Sequence, residues 1–133
     1  MKYIVNLAGG TLASLMLSCA SSYLTLAPVG PDPNSPATPG ADGRLEVFSA
    51  LVAHAEGNNP TWYQHRDYTL YDASGKTVEH VDNTVGHYAR SPRIISLAPG
   101  RYRVQTETQT HRSVMVPVII QAGRMTTVRL DNT

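Results

Sequence analysis

Cysteine is almost absent from this chain of 133 residues, which contains only Cys19. One cysteine cannot form a disulfide within the chain, and no Cys-x-x-Cys or Cys/His spacing of the kind that binds zinc is present. The fold must therefore be stabilised by its own core. Long apolar runs are lacking too, because the N-terminal run ends at Leu17 and is interrupted by Asn6, Gly9 and Gly10. Such a run is too short for a membrane-spanning helix.

An excess of charge of either sign is also lacking. Eleven Lys and Arg residues stand against ten Asp and Glu residues, and Lys2 in the opening segment accounts for the difference. A balanced surface gives no electrostatic reason to expect a nucleic-acid partner or a polybasic membrane patch. We therefore expect no nucleic-acid binding.

Motifs for catalysis and for metal binding are missing as well. There is no Gly-x-Ser-x-Gly nucleophile motif, and the histidines do not form a His-x-His pair. We therefore predict a protein that is not an enzyme and has no cofactor, no catalytic residue and no metal ligand. A metal-binding periplasmic protein, with histidines that converge only in three dimensions, is a distant alternative. The histidines are His54, His65, His80, His87 and His111.

Residues 1–18, "MKYIVNLAGGTLASLMLS", have the pattern of a signal peptide. One positive charge at Lys2 precedes a mostly apolar run. A charged start followed by a short apolar stretch is typical of export signals, which form a helix and are then removed. The sequence therefore predicts an exported protein of the cell envelope.

The end of this segment, Met16-Leu17-Ser18-Cys19, resembles the lipobox of bacterial lipoproteins. In that family the thiol receives a diacylglyceryl group, the signal is cut before the cysteine, and the new amine is acylated, commonly with palmitate. The resemblance implies lipidation of Cys19 and a membrane partner through the lipid, with about 0.8 kcal/mol for each buried methylene. Ala20 at the next position implies sorting to the outer membrane. The alternatives are a chance cysteine after an ordinary signal and a buried N-terminal helix.

Residues 19–43 are predicted to be a flexible, proline-rich tether. The part from Val29 to Gly43, "VGPDPNSPATPGADG", has four prolines and little apolar surface. Such a segment cannot form a regular hydrogen-bonded ladder or a core, and it favours extended, disordered chain.

Residues 44–131 show the period-two alternation of β-strands. Tyr68 and Leu70 alternate with polar neighbours, and residues 72–75 form a turn signal that ends at Gly75. About seven such short strands, without a sustained helical period, predict an all-β fold: a single Ig-like or transthyretin-like β-sandwich.

The stretch "LAPGRYRV" at residues 97–104, with "VPVIIQAGRMTTVRLD" after it, resembles carboxypeptidase-regulatory-like and PEGA-type domains. These are transthyretin-like sandwiches. The resemblance implies a non-catalytic accessory module, in which Tyr102 packs inward and its hydroxyl fixes a corner of the fold.

Two polar loops are the candidate ligand-binding region. The loop "AEGNNPTWYQHRD" contains Trp62, Tyr63 and His65, and "NTVGHYARSP" contains His87 and Tyr88. Flat aromatic faces beside amide groups are typical of sites for sugars or peptides. The alternative is that Trp62 caps one end of the sandwich. We expect an envelope structural or interaction module, with a carbohydrate- or peptide-binding module at these loops as the alternative and an envelope protein or glycan as its partner.

Overall fold

A computed structural model describes residues 22–132. The predicted signal peptide and Cys19 lie outside this range. Within it the chain is all-β, and no helix has the length and apolar character needed to cross a membrane. The strands are β1 (Leu24–Thr25), β2 (Gly43–Phe48), β3 (Leu51–His54), β4 (Trp62–His65), β5 (Tyr68–Asp72), β6 (Thr77–Val81), β7 (Ile94–Leu97), β8 (Gly100–Glu107), β9 (Ser113–Ile120) and β10 (Met125–Arg129).

The strands form two main sheets and a separate hairpin. One sheet has the order β1-β9-β8-β5-β6, the other has the order β10-β2-β7, and β3 pairs only with β4. The predicted all-β sandwich is thus confirmed. The described strands number ten rather than about seven, because Trp62–His65 pairs with β3 where a loop was predicted and Leu24–Thr25 adds an edge strand.

The core between the sheets follows the predicted alternation. Tyr68 and Leu70 on β5 are buried, as are Val128 and Leu130 around β10. Burial raises the pKa of the Tyr68 phenol, and the Glu79 carboxylate raises it further, so this buried group stays protonated. The buried cluster comprises Leu45, Val47, Tyr68, Leu70, Val81, Leu97, Val104, Val114, Val116, Val118, Ile120, Val128 and Leu130.

The predicted turn between β5 and β6 is confirmed. Gly75 has a φ of 86°, a conformation that favours glycine. Asp72 Oδ1 accepts hydrogen bonds from the backbone N–H and hydroxyl of Ser74 and from the backbone N–H of Lys76. These bonds, led by the Ser74 hydroxyl, hold the pKa of the Asp72 carboxyl below its usual value.

Around Pro99 the chain crosses from one sheet to the other. β7 pairs with β2, whereas β8 pairs with β5 and β9. Tyr102 is half-buried against the core, and its hydroxyl donates a hydrogen bond of 2.7 Å to the Ala98 carbonyl. The structural role that was expected of Tyr102 is therefore confirmed: it fixes this corner.

Residues 22–42, here called the N-terminal strap, differ from the flexible tether predicted over 19–43. β1 pairs in parallel with β9. The Val29 N–H donates to the Pro117 carbonyl, the Val29 carbonyl accepts from Ile119, and the Thr38 N–H donates to the Gly123 carbonyl. Prolines cannot donate, but the residues between them can: the bonds of Val29 cover the outer edge of β9, and the bond of Thr38 reaches the turn between β9 and β10. From residue 22 onward the segment is therefore part of the folded domain.

Candidate functional site

The β3–β4 hairpin is positioned at the end of β8. After β2 the Ala50 N–H donates to the Glu107 carbonyl, and the Ala50 carbonyl accepts from the Arg66 N–H. Gln109 closes the same junction, because its side-chain carbonyl accepts from the Leu51 N–H. The hairpin is thereby fixed to the five-stranded sheet although its strands pair only with each other.

Asn83 is fully buried and joins three segments beside this hairpin. Its amide nitrogen donates to the Val47 carbonyl at 2.7 Å and to Ser49 Oγ at 3.2 Å. Its amide oxygen accepts from the Arg93 N–H at 3.1 Å, and its own N–H donates to Asp67 Oδ1 at 3.0 Å. Sequence reasoning missed Asn83, because an asparagine soon after a strand is most often a turn residue.

The two candidate loops meet around Trp62. Its ring centroid lies 4.3 Å from that of His87, 5.5 Å from that of His54 and 6.2 Å from that of Tyr88. His87 and Tyr88 also contact each other edge to face, with centroids 4.7 Å apart. We call His54, Trp62, His87 and Tyr88 the aromatic cap. Of the five predicted binding residues, the structure brings Trp62, His87 and Tyr88 together.

The cap covers the indole. Trp62 is only 8% exposed, so its face does not form the open platform that a stacked sugar requires. Its indole N–H is buried without a hydrogen-bond partner among the described residues. The exposed aromatic rings here are Tyr88, at 70%, and Tyr63, at 38%.

Tyr63 and His65 lie apart from the cap, because alternation along β4 directs them to the opposite side from Trp62. The Arg90 guanidinium lies over the Tyr63 ring, 5.5 Å from its centroid. His65 is buried, and its Nδ1 donates to the Ser49 carbonyl at 2.7 Å. The Phe48 ring packs edge-on against the imidazole. His65 therefore holds the hairpin to β2.

A polar groove of about 620 Å³ lies where the hairpin meets the outer face of the five-stranded sheet. The hairpin and strands β6, β8 and β9 supply its walls, and amides, imidazoles, hydroxyls and carboxylates line it. Of the five predicted binding residues, His65 lines this groove. Sequence reasoning missed the groove as a whole, because its residues come from separate strands and share no motif. Its polar lining includes His54, Gln64, Arg66, Asp67, His80, Gln105 and Glu107.

The carboxylates that line the polar groove each have a polar partner nearby. Arg66 Nε forms an ion pair with Glu107 Oε2 at 3.1 Å, and His80 Nε2 lies 3.9 Å from Asp67 Oδ2. Asp82 Oδ1 accepts from the N–H and hydroxyl of Thr84. The groove therefore carries three carboxylates, Asp67, Asp82 and Glu107, against one guanidinium, and each of these carboxylates already has a local polar partner.

One arrangement beside the polar groove has the residue types of a catalytic triad, with His80 and Asp67 in the lining and Thr69 next to it. Thr69 Oγ1 lies 3.1 Å from His80 Nδ1, and Asp67 lies beyond the second ring nitrogen of His80. The separation of 3.9 Å between Asp67 and His80 is too long for the hydrogen bond that orients a catalytic base. Thr69 also lies mid-strand between β6 and β8, where backbone N–H groups bond to neighbouring strands rather than form an oxyanion hole.

Metal ligands do not converge in the part of the chain that the structure describes. Over residues 22–132, no three or more His, Cys, Asp or Glu side chains are grouped so that they could hold a metal ion. A tetrahedral or octahedral site requires such convergence. The histidine-based metal hypothesis gains no support from this geometry.

Comparison with protein-family models gave no match, and neither the curated proteins nor the solved structures compared with the chain gave one. The fold and the polar groove therefore rest on the chain's own geometry.

Proposed function

We propose that this chain is an exported, lipid-anchored protein of the bacterial cell envelope, with a β-sandwich that acts as a non-catalytic interaction module. The observation that carries the proposal is the polar groove of about 620 Å³ between the hairpin and the sheet. Its volume lies in the range of ligand sites, about 300–1,000 Å³. The resemblance of residues 16–19 to a lipobox, and of the C-terminal half to carboxypeptidase-regulatory-like and PEGA-type domains, supports anchoring and a non-catalytic role.

The polar groove is built on a rigid support, which is what a recognition site needs. Asn83 ties the segment after β6 to β2 through its bonds to Val47 and Ser49, and to the end of the hairpin through the Arg66 carbonyl at 3.3 Å. Thr106, one of the lining residues, is buried and donates to the Asp67 carbonyl at 3.0 Å. In the arrangement of Thr69, His80 and Asp67, the Asp67 carboxylate is too far from His80 to orient it as a base, so binding is the better assignment than catalysis.

The anchor is tested by replacing Cys19 with serine. Cells that express the natural chain or Cys19→Ser are fed an alkyne-labelled palmitate, and the protein is then extracted with detergent. We expect label and detergent partitioning for the natural chain and neither for the variant. Equal labelling of the two proteins would remove the anchor from the proposal.

The interaction module is tested by histidine footprinting with diethyl pyrocarbonate. The full chain is modified alone and with envelope extract from the same cells, and each histidine is followed by mass spectrometry. His80, in the polar groove, should be protected by the extract, whereas His111, on the exposed β8–β9 turn, serves as the internal control. Equal modification of His80 with and without extract would contradict a groove-based module.

The aromatic cap is the second candidate surface, because the structure joins the two loops that the sequence singled out. A carbohydrate or peptide bound at the cap would have to use the exposed Tyr88 ring, since the Trp62 face is covered. The modification of His87 by diethyl pyrocarbonate, measured in the same experiment, shows whether this surface is protected. Protection of His87 without protection of His80 would favour the cap over the polar groove.

A further inference from the structure

We propose that the polar groove binds a neutral oligosaccharide, and that Gln105 and Tyr23 are its central contacts. This inference rests on the proposed function, because it names the ligand class of the same groove. It moves the carbohydrate site from the Trp62 loops to the outer face of the five-stranded sheet.

Gln105 joins two depressions into one longer surface. It lines the polar groove and also a second depression of about 270 Å³, which Tyr23, Tyr71, Arg103 and Met115 line. Tyr23 reaches this surface because β1, which follows it directly, pairs with β9. An elongated surface with one shared residue suits a chain of sugar units better than a single compact ligand.

The orientation of Gln105 is fixed by two tyrosines. The Tyr71 hydroxyl donates to Gln105 Oε1 at 2.6 Å, and Gln105 Nε2 donates to the Tyr23 hydroxyl at 2.9 Å. One N–H and one lone pair of the amide remain for a ligand. A fixed amide with a free donor and a free acceptor can bind two neighbouring hydroxyl groups at little cost in side-chain entropy.

Tyr23 supplies the flat apolar surface. It is 37% exposed, and its hydroxyl is held by Gln105, so its ring is both accessible and positioned. A sugar ring packs its C–H face on an aromatic ring while its hydroxyls bond to polar neighbours. Trp62 cannot do this, since the aromatic cap covers it.

The charge balance favours a neutral ligand. Glu107 is paired with Arg66, Asp67 lies beside His80, and Asp82 accepts two hydrogen bonds from Thr84, so a cation would compete with existing partners at each carboxylate. An anion would meet the carboxylates of Asp67, Asp82 and Glu107. Hydroxyl groups both donate and accept, which matches the mixture of amides, imidazoles and carboxylates in the lining.

To test this, the full chain in detergent is titrated with chitotetraose, cellotetraose, maltotetraose and mannotetraose. Binding is measured by calorimetry and by changes in amide chemical shifts. We expect at least one tetrasaccharide to bind. Gln105→Ala and Tyr23→Ala should each weaken that binding about tenfold, whereas Tyr23→Phe, which keeps the ring, should weaken it less. Tyr88→Ala is the matched control, because it removes an exposed aromatic ring outside the groove, and it should leave the affinity unchanged. Melting temperatures of all variants verify folding.

Three outcomes would overturn the inference. In the first, none of the four sugars binds. In the second, a sugar binds, but Tyr88→Ala abolishes the binding and Gln105→Ala leaves it intact. The third is tighter binding of the peptide Lys-Lys-Lys, weakened by salt, which would show a cation site. None of these outcomes bears on whether envelope extract protects His80 from diethyl pyrocarbonate. The proposed function can therefore stand where this inference fails.

Discussion

The interior of the sandwich and its hairpin end are stabilised by different kinds of contact. The interior consists of aliphatic side chains, with Tyr68 as its one fully buried aromatic residue. The hairpin end depends on directional contacts: the five hydrogen bonds of Asn83, the His65 bond to Ser49, and the ring contacts of Trp62. Apolar burial scales with area and needs no particular angle, whereas hydrogen bonds and ring contacts do.

The polar groove lies at the boundary between these two regions. One wall is the sheet, whose inner face is held by the interior, and the other is the hairpin. The shape of the groove therefore depends on directional contacts that contribute less to total stability than the interior does. Mutations can separate the two contributions, because a change in the interior should act on the whole domain and a change at the hairpin end on the groove.

Leu70→Ala should have the largest effect. Leu70 is fully buried on β5, and its truncation removes apolar contacts and leaves a cavity. We expect a loss of about 3 kcal/mol in the free energy of unfolding, measured by urea denaturation. Val78→Ala, on the exposed side of β6, should change it by less than about 0.5 kcal/mol. A comparable loss for both variants would contradict the assignment of the interior.

Asn83→Ala should be the next largest. The change leaves the Val47 carbonyl and the Arg93 N–H without their bonds to Asn83, at a cost of about 2 kcal/mol. Asn83→Ala should also raise the rate of amide hydrogen exchange in β3 and β4 more than elsewhere. Leu70→Ala should raise exchange in these strands only as far as it destabilises the whole domain. Asn58→Ala, in the exposed hairpin loop, is the matched control and should leave both measurements unchanged. Exchange that rises uniformly over the chain would show that Asn83 belongs energetically to the interior.

Gly123→Ala extends the comparison to the N-terminal strap, which is also held by directional bonds. A Cβ at residue 123 would meet the Thr38 carbonyl oxygen at 2.4 Å, and Gly123 has a φ of 69°. Gly75→Ala has a similar φ of 86° but meets nothing within 4 Å, so it carries the backbone strain alone. Gly75→Ala should cost about 1 kcal/mol. Gly123→Ala should cost more, because the Thr38 carbonyl must also shift, and only this variant should speed hydrogen exchange at the Thr38 amide. Faster exchange in both variants would mean that strain, not contact, detaches the strap.

The interior was the region that sequence could predict. Alternation placed Tyr68 and Leu70 inside, and Asp72–Gly75 marked a turn, because side-chain period and turn chemistry are local properties. The corner at Tyr102 was expected from the resemblance of "LAPGRYRV" to transthyretin-like domains, and its partner Ala98 lies only four residues away.

The hairpin end and the strap were less predictable because their contacts are distant in sequence. Thr38 bonds to Gly123, and Gln105 to Tyr23, across more than eighty residues. The prolines of the strap indicate correctly that it forms no strand of its own over most of its length, but they do not show that an edge of β9 accepts it. The two polar loops were identified from composition, whereas the burial of Trp62 by His87 depends on where the second loop lies.

Tyr88→Ala has the smallest expected effect on stability and the most specific optical one. Tyr88 is 70% exposed, so its loss should change the free energy of unfolding by less than about 0.5 kcal/mol. It contacts the edge of the only indole in the chain, so its removal should shift the Trp62 emission to longer wavelength and increase quenching by acrylamide.

Tyr63→Ala is the matched control for this change, because Tyr63 is next to Trp62 in sequence but on the opposite side of β4. It should leave the emission of Trp62 unchanged. Natural chain that already emits like free tryptophan would contradict the burial of the indole, and equal shifts in both variants would contradict the aromatic cap. Blue-shifted emission that only Tyr88→Ala moves would place the cap over Trp62 and leave the Gln105 surface as the better carbohydrate site, since only there is an accessible ring held beside a fixed amide.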